Sequence, residues 1–224
     1  MRGTRALRRE IVDVCRRLYE RGLIAGQDGN VSARIAEGRI LVTPAGASKG
    51  LLRPGDLVDL ALDGTPGRGR ASSEVGMHLH IYRRRPDVGA VVHAHPPTAT
   101  GFAVAGEGFA APVLPELVFQ VGWIPLIPYA TPGSEELADR LEPYLASHDA
   151  FLLANHGATT LGPSLRIAHQ RMESLEHAAR IVLTARLLGR VVELTPEQVR
   201  ALTAARRRAG VPGAFPDFPA PDRR

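Results

Sequence analysis

Three histidines at the ends of apolar runs are the residues of this 224-residue chain best suited to chemistry. His93 and His95 stand in GAVVHAHPPTAT, and His156 stands in FLLANHGATTLG. A β-strand turns alternate side chains to opposite faces, so an H-x-H pair presents both imidazoles to one side. Val91-Val92 reads as the buried strand that carries the pair, and Pro96-Pro97 ends it. His156 likewise follows an apolar run, Phe151-Leu152-Leu153, and precedes Gly157. A single histidine in such a run is usually a packed, hydrogen-bonded side chain. Three that converge from two strand ends make the protein half of a divalent-metal site. Three protein ligands with one position open is the catalytic pattern for zinc, and the donor set also suits manganese or cobalt.

The segment ASSEVGMH supplies the second signal. Ser72 and Ser73 fall at an expected helix start, where hydroxyls and outward-pointing backbone N–H groups together suit a phosphate; the plainer reading is a helix N-cap with a spare serine. GQDGN adds a glycine-rich turn with Asn30, and TPAGASKG adds a loop with Gly46. Three such loops ahead of a metal site point to a phosphorylated substrate, with Lys49 and Arg34 as candidate charge partners. Glu74 follows the serines directly. It is a candidate fourth metal ligand or a general base that leaves the metal when substrate arrives; the alternative is a first-turn carboxylate that only stabilises the helix dipole. His78 and His80 read as structural or interface residues. His148, His169 and His177 read as surface or helix-face residues, with His177 paired to Glu173 at i, i+4.

The elements that must hold these residues follow from periodicity. Leu7, Ile11, Val14 and Leu18 place a helix over residues 4–21, with Cys15 on its apolar face. RILVTPAG and DLVDLALDG read as strands, the second closed by an Asp63-Gly64 turn. SSEVGMHLHIYRRRP reads as a helix from near Ser73 to before Pro86. TATGFAVAG is expected to be helical and GWIPLIPYA extended. Thr131-Pro132-Gly133-Ser134 opens a helix to about Ala146, a long helix follows Pro163 to about Leu188, and Thr195-Pro196-Glu197 starts a short last one. The expectation is one α/β domain over residues 1–209, its central sheet covered by helices. A Pro/Gly-rich tail over residues 210–224 is loose or packs on a neighbour.

Composition excludes several classes. One cysteine rules out an internal disulfide and fits a reducing compartment. No apolar run approaches the roughly 18 residues of a membrane span, and no signal peptide is evident, so a cytoplasmic protein without membrane contact is expected. The net charge of +5 is spread over many arginines with no nucleic-acid-binding signature beside it, so no nucleic-acid partner is expected. Lys49 is the only lysine, so a Schiff-base enzyme would have to use it.

Taken together, GNVSAR, TPAG, SSEVGMHLHIYRRRPDVGAVVHAHPPTAT, IPYATPGSEELA and LLANHGATTLG span residues 29–162. They resemble the class II aldolase/adducin family, most closely its L-fuculose-1-phosphate-type aldolases. The resemblance implies a mainly antiparallel central sheet with helices on both faces, and a homotetramer with sites near subunit boundaries. It makes His93, His95 and His156 zinc ligands and Glu74 the catalytic acid/base that also binds the resting metal. It assigns Gly29, Asn30, Ala45, Gly46, Ser72 and Ser73 to phosphate binding, with Ala45 standing where the fuculose-phosphate enzymes can have threonine. Those aldolases take a proton-transfer tyrosine from a neighbouring subunit; here that position falls on or near Glu116, with no tyrosine nearby.

The activity implied is zinc-dependent cleavage of a ketose 1-phosphate to dihydroxyacetone phosphate and an aldehyde. Glu116 keeps a dehydratase or a decarboxylase of a sugar-derived phosphate open. The SSE segment argues against the epimerases of the family, which carry aspartate there. A non-catalytic adducin-like module is the reading from another class, and retention of the histidines and Glu74 argues against it.

Overall fold

The structure, a computed structural model, describes residues 3–36, 38–65, 67, 69–216 and 218. Seven strands form one sheet: β1 (Asn30–Ala36), β2 (Arg39–Val42), β3 (Val58–Ala61), β4 (Ala90–Ala94), β5 (Leu126–Ile127), β6 (Ala150–Leu153) and β7 (Gly157–Gly162). Their order is β3-β2-β1-β4-β7-β6-β5. Every neighbouring pair is antiparallel except β5 with β6, so the α/β expectation of a mainly antiparallel sheet holds. Seven α-helices accompany it: α1 (Thr4–Glu20), α2 (Val75–Arg84), α3 (Pro97–Val104), α4 (Pro115–Gln120), α5 (Glu135–Leu145), α6 (Leu165–Leu187) and α7 (Pro196–Arg208).

Strand alternation sorts the core into two layers. Ala90, Val92 and Ala94 of β4 join Ile11 and Leu18 of α1 and Met172 and Leu175 of α6. Val91, between them, faces the other way and packs with Met77 and Ile81 of α2 and Leu137 and Leu141 of α5. β4, β6 and β7 are buried along their whole length, as strands covered on both faces must be. Cys15 is fully buried in the first layer, and burial pushes its thiol up to about 12. It is a core residue, as its helix face suggested.

Three local expectations are corrected. α2 begins one turn position later than the serines suggested, with Glu74 as its N-cap. β7 and α4 were not anticipated from sequence. β7 reads GATTLG, too poor in large apolar residues to stand out as a strand. α4 is six residues long, too short for a helical period to show. His148 is buried rather than on the surface, and His169 lies on a buried face of α6. His148 packs edge-on to Trp123. His169, not His177, faces Glu173 at 3.4 Å, and Glu173 also pairs with Arg21 at 2.7 Å.

The tail packs on its own chain as far as it is described: the Pro212 carbonyl accepts from Arg171 Nη2 at 2.7 Å and Arg206 Nη2 at 3.3 Å. Arg223 and Arg224 lie outside the described residues. Among the described residues, no helix is long and apolar enough to cross a membrane.

Candidate metal centre and active site

Sheet register builds the floor of the site. His93 in β4 lies opposite Asn30 of β1 on one side and Thr159 of β7 on the other. Residues paired across a sheet share a face, so Asn30, His93 and Thr159 form one row on the side covered by α2. His95 follows two residues later, just past the strand end. His156 sits in the turn between β6 and β7, where its N–H donates to the Leu153 carbonyl at 3.0 Å. Asn155 in that turn has φ 56°, a left-handed conformation that asparagine tolerates better than most residues.

The three rings converge, with centroids 4.7–5.1 Å apart, and their candidate ligand atoms all lie within 4.8 Å of one another. Glu74 closes the group, with Oε1 3.1 Å from His156 Nε2 and Oε2 3.4 Å from His93 Nε2. The carboxylate therefore turns back over the histidines from the helix N-cap.

The proton inventory shows that this group fits a cation. His93 Nδ1 lies 2.9 Å from the Ala158 carbonyl, which can only accept. Nδ1 must then carry the proton and Nε2 a lone pair. That lone pair lies 3.2 Å from His95 Nε2 and faces the Glu74 carboxylate. Glu74 Oε1 and His156 Nδ1 are buried without a hydrogen-bond partner among the described residues. Burial holds the His93 imidazole down to about 3 even against the charge of Glu74, and burial lowers His95 as well. These rings are neutral at physiological pH, the state that ligates metal. Burial alone would raise the Glu74 carboxyl. The nearness of the His156 and His93 rings and the Asn30 amide together bring it well below the usual carboxylate range.

Support behind His93 and His95 follows the pattern of metal sites, in which the second ring nitrogen of a ligating histidine is held by an acceptor. His93 Nδ1 also reaches Thr159 Oγ1 at 3.1 Å, and the Thr159 proton turns to Met77 Sδ at 3.7 Å. His95 Nδ1 faces Asp28 Oδ2 at 3.5 Å. Gly157 leaves room for His95: a Cβ there would lie 2.5 Å from His95 Cδ2 and 2.6 Å from the Ala94 carbonyl. Gly29 has φ +66°, and a Cβ on it would lie 2.7 Å from the His93 carbonyl. Asp28, Thr159 and Gly157 were not singled out from sequence. The x-Gly turn after His156 was the one available hint.

The three expected phosphate loops lie together. Pro44 bridges Ala71, Ala45 N donates to the Arg70 carbonyl at 3.0 Å, and Ser72 N donates to the Thr43 carbonyl at 3.2 Å. Lys49 is buried and its ammonium donates to the Gln27 and Ala47 carbonyls, tying the turn before Gly29 to the loop after Gly46. Ser73 and Gly46 are exposed, while Ser72, Gly29 and Asn30 are buried. Asn30 departs from expectation: its side-chain amide donates to Glu74 Oε2 at 2.8 Å, and its carbonyl faces His78. Arg34 stacks on Tyr82 and donates to the Tyr82 and Val88 carbonyls, away from these loops. Glu116 is exposed in the first turn of α4 and makes no contact with the histidine group among the described residues.

Residues 9–183 match the family described as Class II Aldolase and Adducin N-terminal domain. The chain belongs to the class II aldolase/adducin family. Within it, the chain is 36% identical over 182 residues to a 3-oxo-tetronate 4-phosphate decarboxylase of Escherichia coli, a match covering 79% of this chain and 86% of that protein. It is 32% identical over 176 residues to an L-fuculose phosphate aldolase of Methanocaldococcus jannaschii, covering 79% and 95% of the two chains. The crystal structure of Escherichia coli YgbL superposes with a TM-score of 0.83 at 34% identity, over 89% of this chain and 98% of that one.

Proposed function

We propose that this chain is a zinc-dependent carbon–carbon lyase that decarboxylates a phosphorylated 3-oxo sugar acid of the 3-oxo-tetronate 4-phosphate type. The observation that carries the reading is that, among the described residues, Glu74 is the one carboxylate on the Nε2 side of the histidine group, Asp28 lying behind His95 on its Nδ1 side. Decarboxylation of a 3-oxo acid needs one proton donor at one carbon. Aldol cleavage needs a second group to take the proton of the hydroxyl being cleaved. The similarity to the decarboxylases points the same way.

His93, His95 and His156, with Glu74, would hold the metal. When bound, it supplies Lewis-acid polarisation of the substrate carbonyl. Gly29, Asn30, Ala45, Gly46, Ser72 and Ser73 cradle the phosphate, with Asn30 contributing its backbone, since its amide is engaged by Glu74 and His78. In the reaction the C1–C2 bond breaks and carbon dioxide leaves. The electron pair remains at C2, delocalised into the C3 carbonyl. Glu74, ionised at rest, takes a proton from solvent and delivers it to C2, which gives dihydroxyacetone phosphate and leaves the carboxylate as it began. The reading carries with it a cytoplasmic homotetramer with sites near subunit boundaries. The exposed apolar run of Leu187, Leu188 and Val192 is available for subunit contact.

A second reading, aldol cleavage of L-fuculose 1-phosphate, is favoured by the similarity to the aldolases. It requires Glu116 to act as the second proton-transfer group in a neighbouring subunit's site. The test offers the metal-loaded protein each substrate in turn, with and without a chelator. Carbon dioxide and dihydroxyacetone phosphate from the oxo acid, abolished by the chelator, are the expected result. Lactaldehyde from L-fuculose 1-phosphate, with no carbon dioxide from the oxo acid, would overturn the reading in favour of the aldolase.

A further inference from the structure

Beneath the site, α2 and β1 interdigitate through polar side chains in an otherwise apolar layer. Glu74, His78 and Tyr82 are spaced by four along α2 and so share one helix face. Asn30 and Ser32 are spaced by two along β1 and so share one strand face. The two rows alternate: Glu74 Oε2 accepts from Asn30 Nδ2 at 2.8 Å, and Asn30 Oδ1 meets His78 Nε2. His78 Nδ1 meets Ser32 Oγ at 2.6 Å, and Ser32 Oγ meets the Tyr82 hydroxyl at 2.9 Å. All five residues are buried, and His78 and Ser32 have no exposed surface. The neighbours of this row are Met77, Ile81 and Val91, so a polar network here is costly unless every member is satisfied.

The charge of Glu74 fixes the direction of every bond. A carboxylate only accepts, so Asn30 must present its NH₂ group to Glu74 and its carbonyl oxygen to His78. His78 must then donate from Nε2 and accept at Nδ1. Ser32 must donate to His78, and its oxygen is left to accept from Tyr82. Burial lowers the His78 imidazole to about 4, which keeps it in this neutral form. The network is not a proton wire, because the Asn30 amide nitrogen has no lone pair with which to pass a proton on. What it does is distinguish the two oxygens of Glu74: Oε2 is held by Asn30, and Oε1, 3.1 Å from His156 Nε2, has no hydrogen-bond partner among the described residues.

We propose that Ser32, His78 and Tyr82 are positioning residues which, through Asn30, lock the Glu74 carboxylate so that Oε2 is anchored and Oε1 is the atom that transfers the proton. The kinetic arm of the test rests on the proposed function; the spectroscopic arm does not. In the zinc-loaded full-length protein labelled with ¹⁵N-histidine, His78 should be neutral and protonated on Nε2 between roughly pH 6 and 8, with its signals assigned by their loss in His78→Gln. An Nδ1-protonated or doubly protonated His78 would overturn the proposal whatever the substrate proves to be.

Glutamine places an N–H donor where Nε2 stands, whereas asparagine reaches only to the Nδ1 position. His78→Gln should therefore keep kcat within about threefold of the parent. His78→Asn should lower kcat about 100-fold with KM changed less than about threefold. Equal kcat values for the two variants, per folded protein, would reduce His78 to a packing residue and overturn the proposal. Should His78→Asn fail to fold, Tyr82→Phe supplies a milder break: a fall in kcat at unchanged KM is expected, and an unchanged kcat would contradict the lock.

Discussion

Two buried polar clusters sit at different places in this molecule, and they are built on opposite principles. One is the group of Glu74, His93, His95 and His156. The other surrounds Asp149 at the start of β6, where Arg85 Nη2 and Arg171 Nη1 each reach it at 2.8 Å. In the second cluster donors meet acceptors: Arg85 also pairs with Asp87, Arg171 donates to the Leu161 and Pro212 carbonyls, and Arg206 donates to the Phe119 carbonyl. In the first, lone pairs and a carboxylate face one another with no Lys or Arg side chain between them among the described residues. A cluster whose opposite charges are matched, even with Asp149 Oδ2 and Arg171 Nε left without a hydrogen bond, holds a fold together. A cluster that lacks its positive charge is arranged for something that comes from outside.

The largest effect should come from removing one ligand of the incomplete cluster. His93→Ala should abolish metal uptake and lower turnover by roughly 10³-fold or more. The metal-free protein should change in stability by less than about 2 kcal/mol, as read by urea unfolding with chelator present. A variant that loses its metal but keeps its activity would break the contrast. The complementary change, Arg171→Met, should behave in the opposite way. It leaves Asp149 short of a buried partner and should cost about 3–5 kcal/mol in stability, with metal content per folded chain unchanged. Metal loss in folded Arg171→Met would show the two clusters to be coupled.

Acid should also separate the two regions. His78 titrates near 4 in the folded chain because burial disfavours its charge, and near 6.5 when unfolded. Between those values the unfolded chain binds more protons, so this contribution to stability is full above about pH 6.5 and is lost as pH falls toward 4. The loss amounts to about 3 kcal/mol. Chemical unfolding of the metal-free protein across this window should show the slope, to which His93 and His95 also contribute, and His78→Gln should reduce it. An equal slope in the variant would assign the acid sensitivity elsewhere. Gly157→Ala should act more locally: the added Cβ meets the His95 ring and the Ala94 carbonyl, and metal affinity should fall about 10–100-fold. The smallest effect is expected at Glu116. Its replacement by glutamine should change carbon dioxide release less than about threefold. A loss near 100-fold would make it a second proton-transfer group and favour the aldolase.

The candidate ligands are more legible in the sequence than their support. His93 and His95 were legible because strand alternation is strict, and His156 because its apolar run resembled theirs. Glu74 was legible as a candidate by its place after two serines, although the helix begins after it rather than before. What could not be read was register. The helix spacing of Glu74, His78 and Tyr82 is plain in the sequence. Only the offset between α2 and β1 brings Asn30 and Ser32 between them, and His78 by itself reads as a packed histidine. β7 carries little strand signal for a related reason: Gly157 leaves room for the His95 ring, and Thr159 and Thr160 are polar residues in a fully buried strand. Lys49 and Arg34 looked like anion-binding charges, yet their donors go to backbone carbonyls. Glu116 is exposed on a single chain, and a residue that acts across a subunit boundary carries no signature of that role in its own sequence.

The most direct test of the central claim is the metal content of the purified chain beside that of His93→Ala and His156→Ala, measured by elemental analysis and located by anomalous scattering. The account expects about one divalent ion per chain, placed among His93, His95, His156 and Glu74 and lost in both variants. A fully active wild-type chain without metal, or variants that keep the ion, would contradict it.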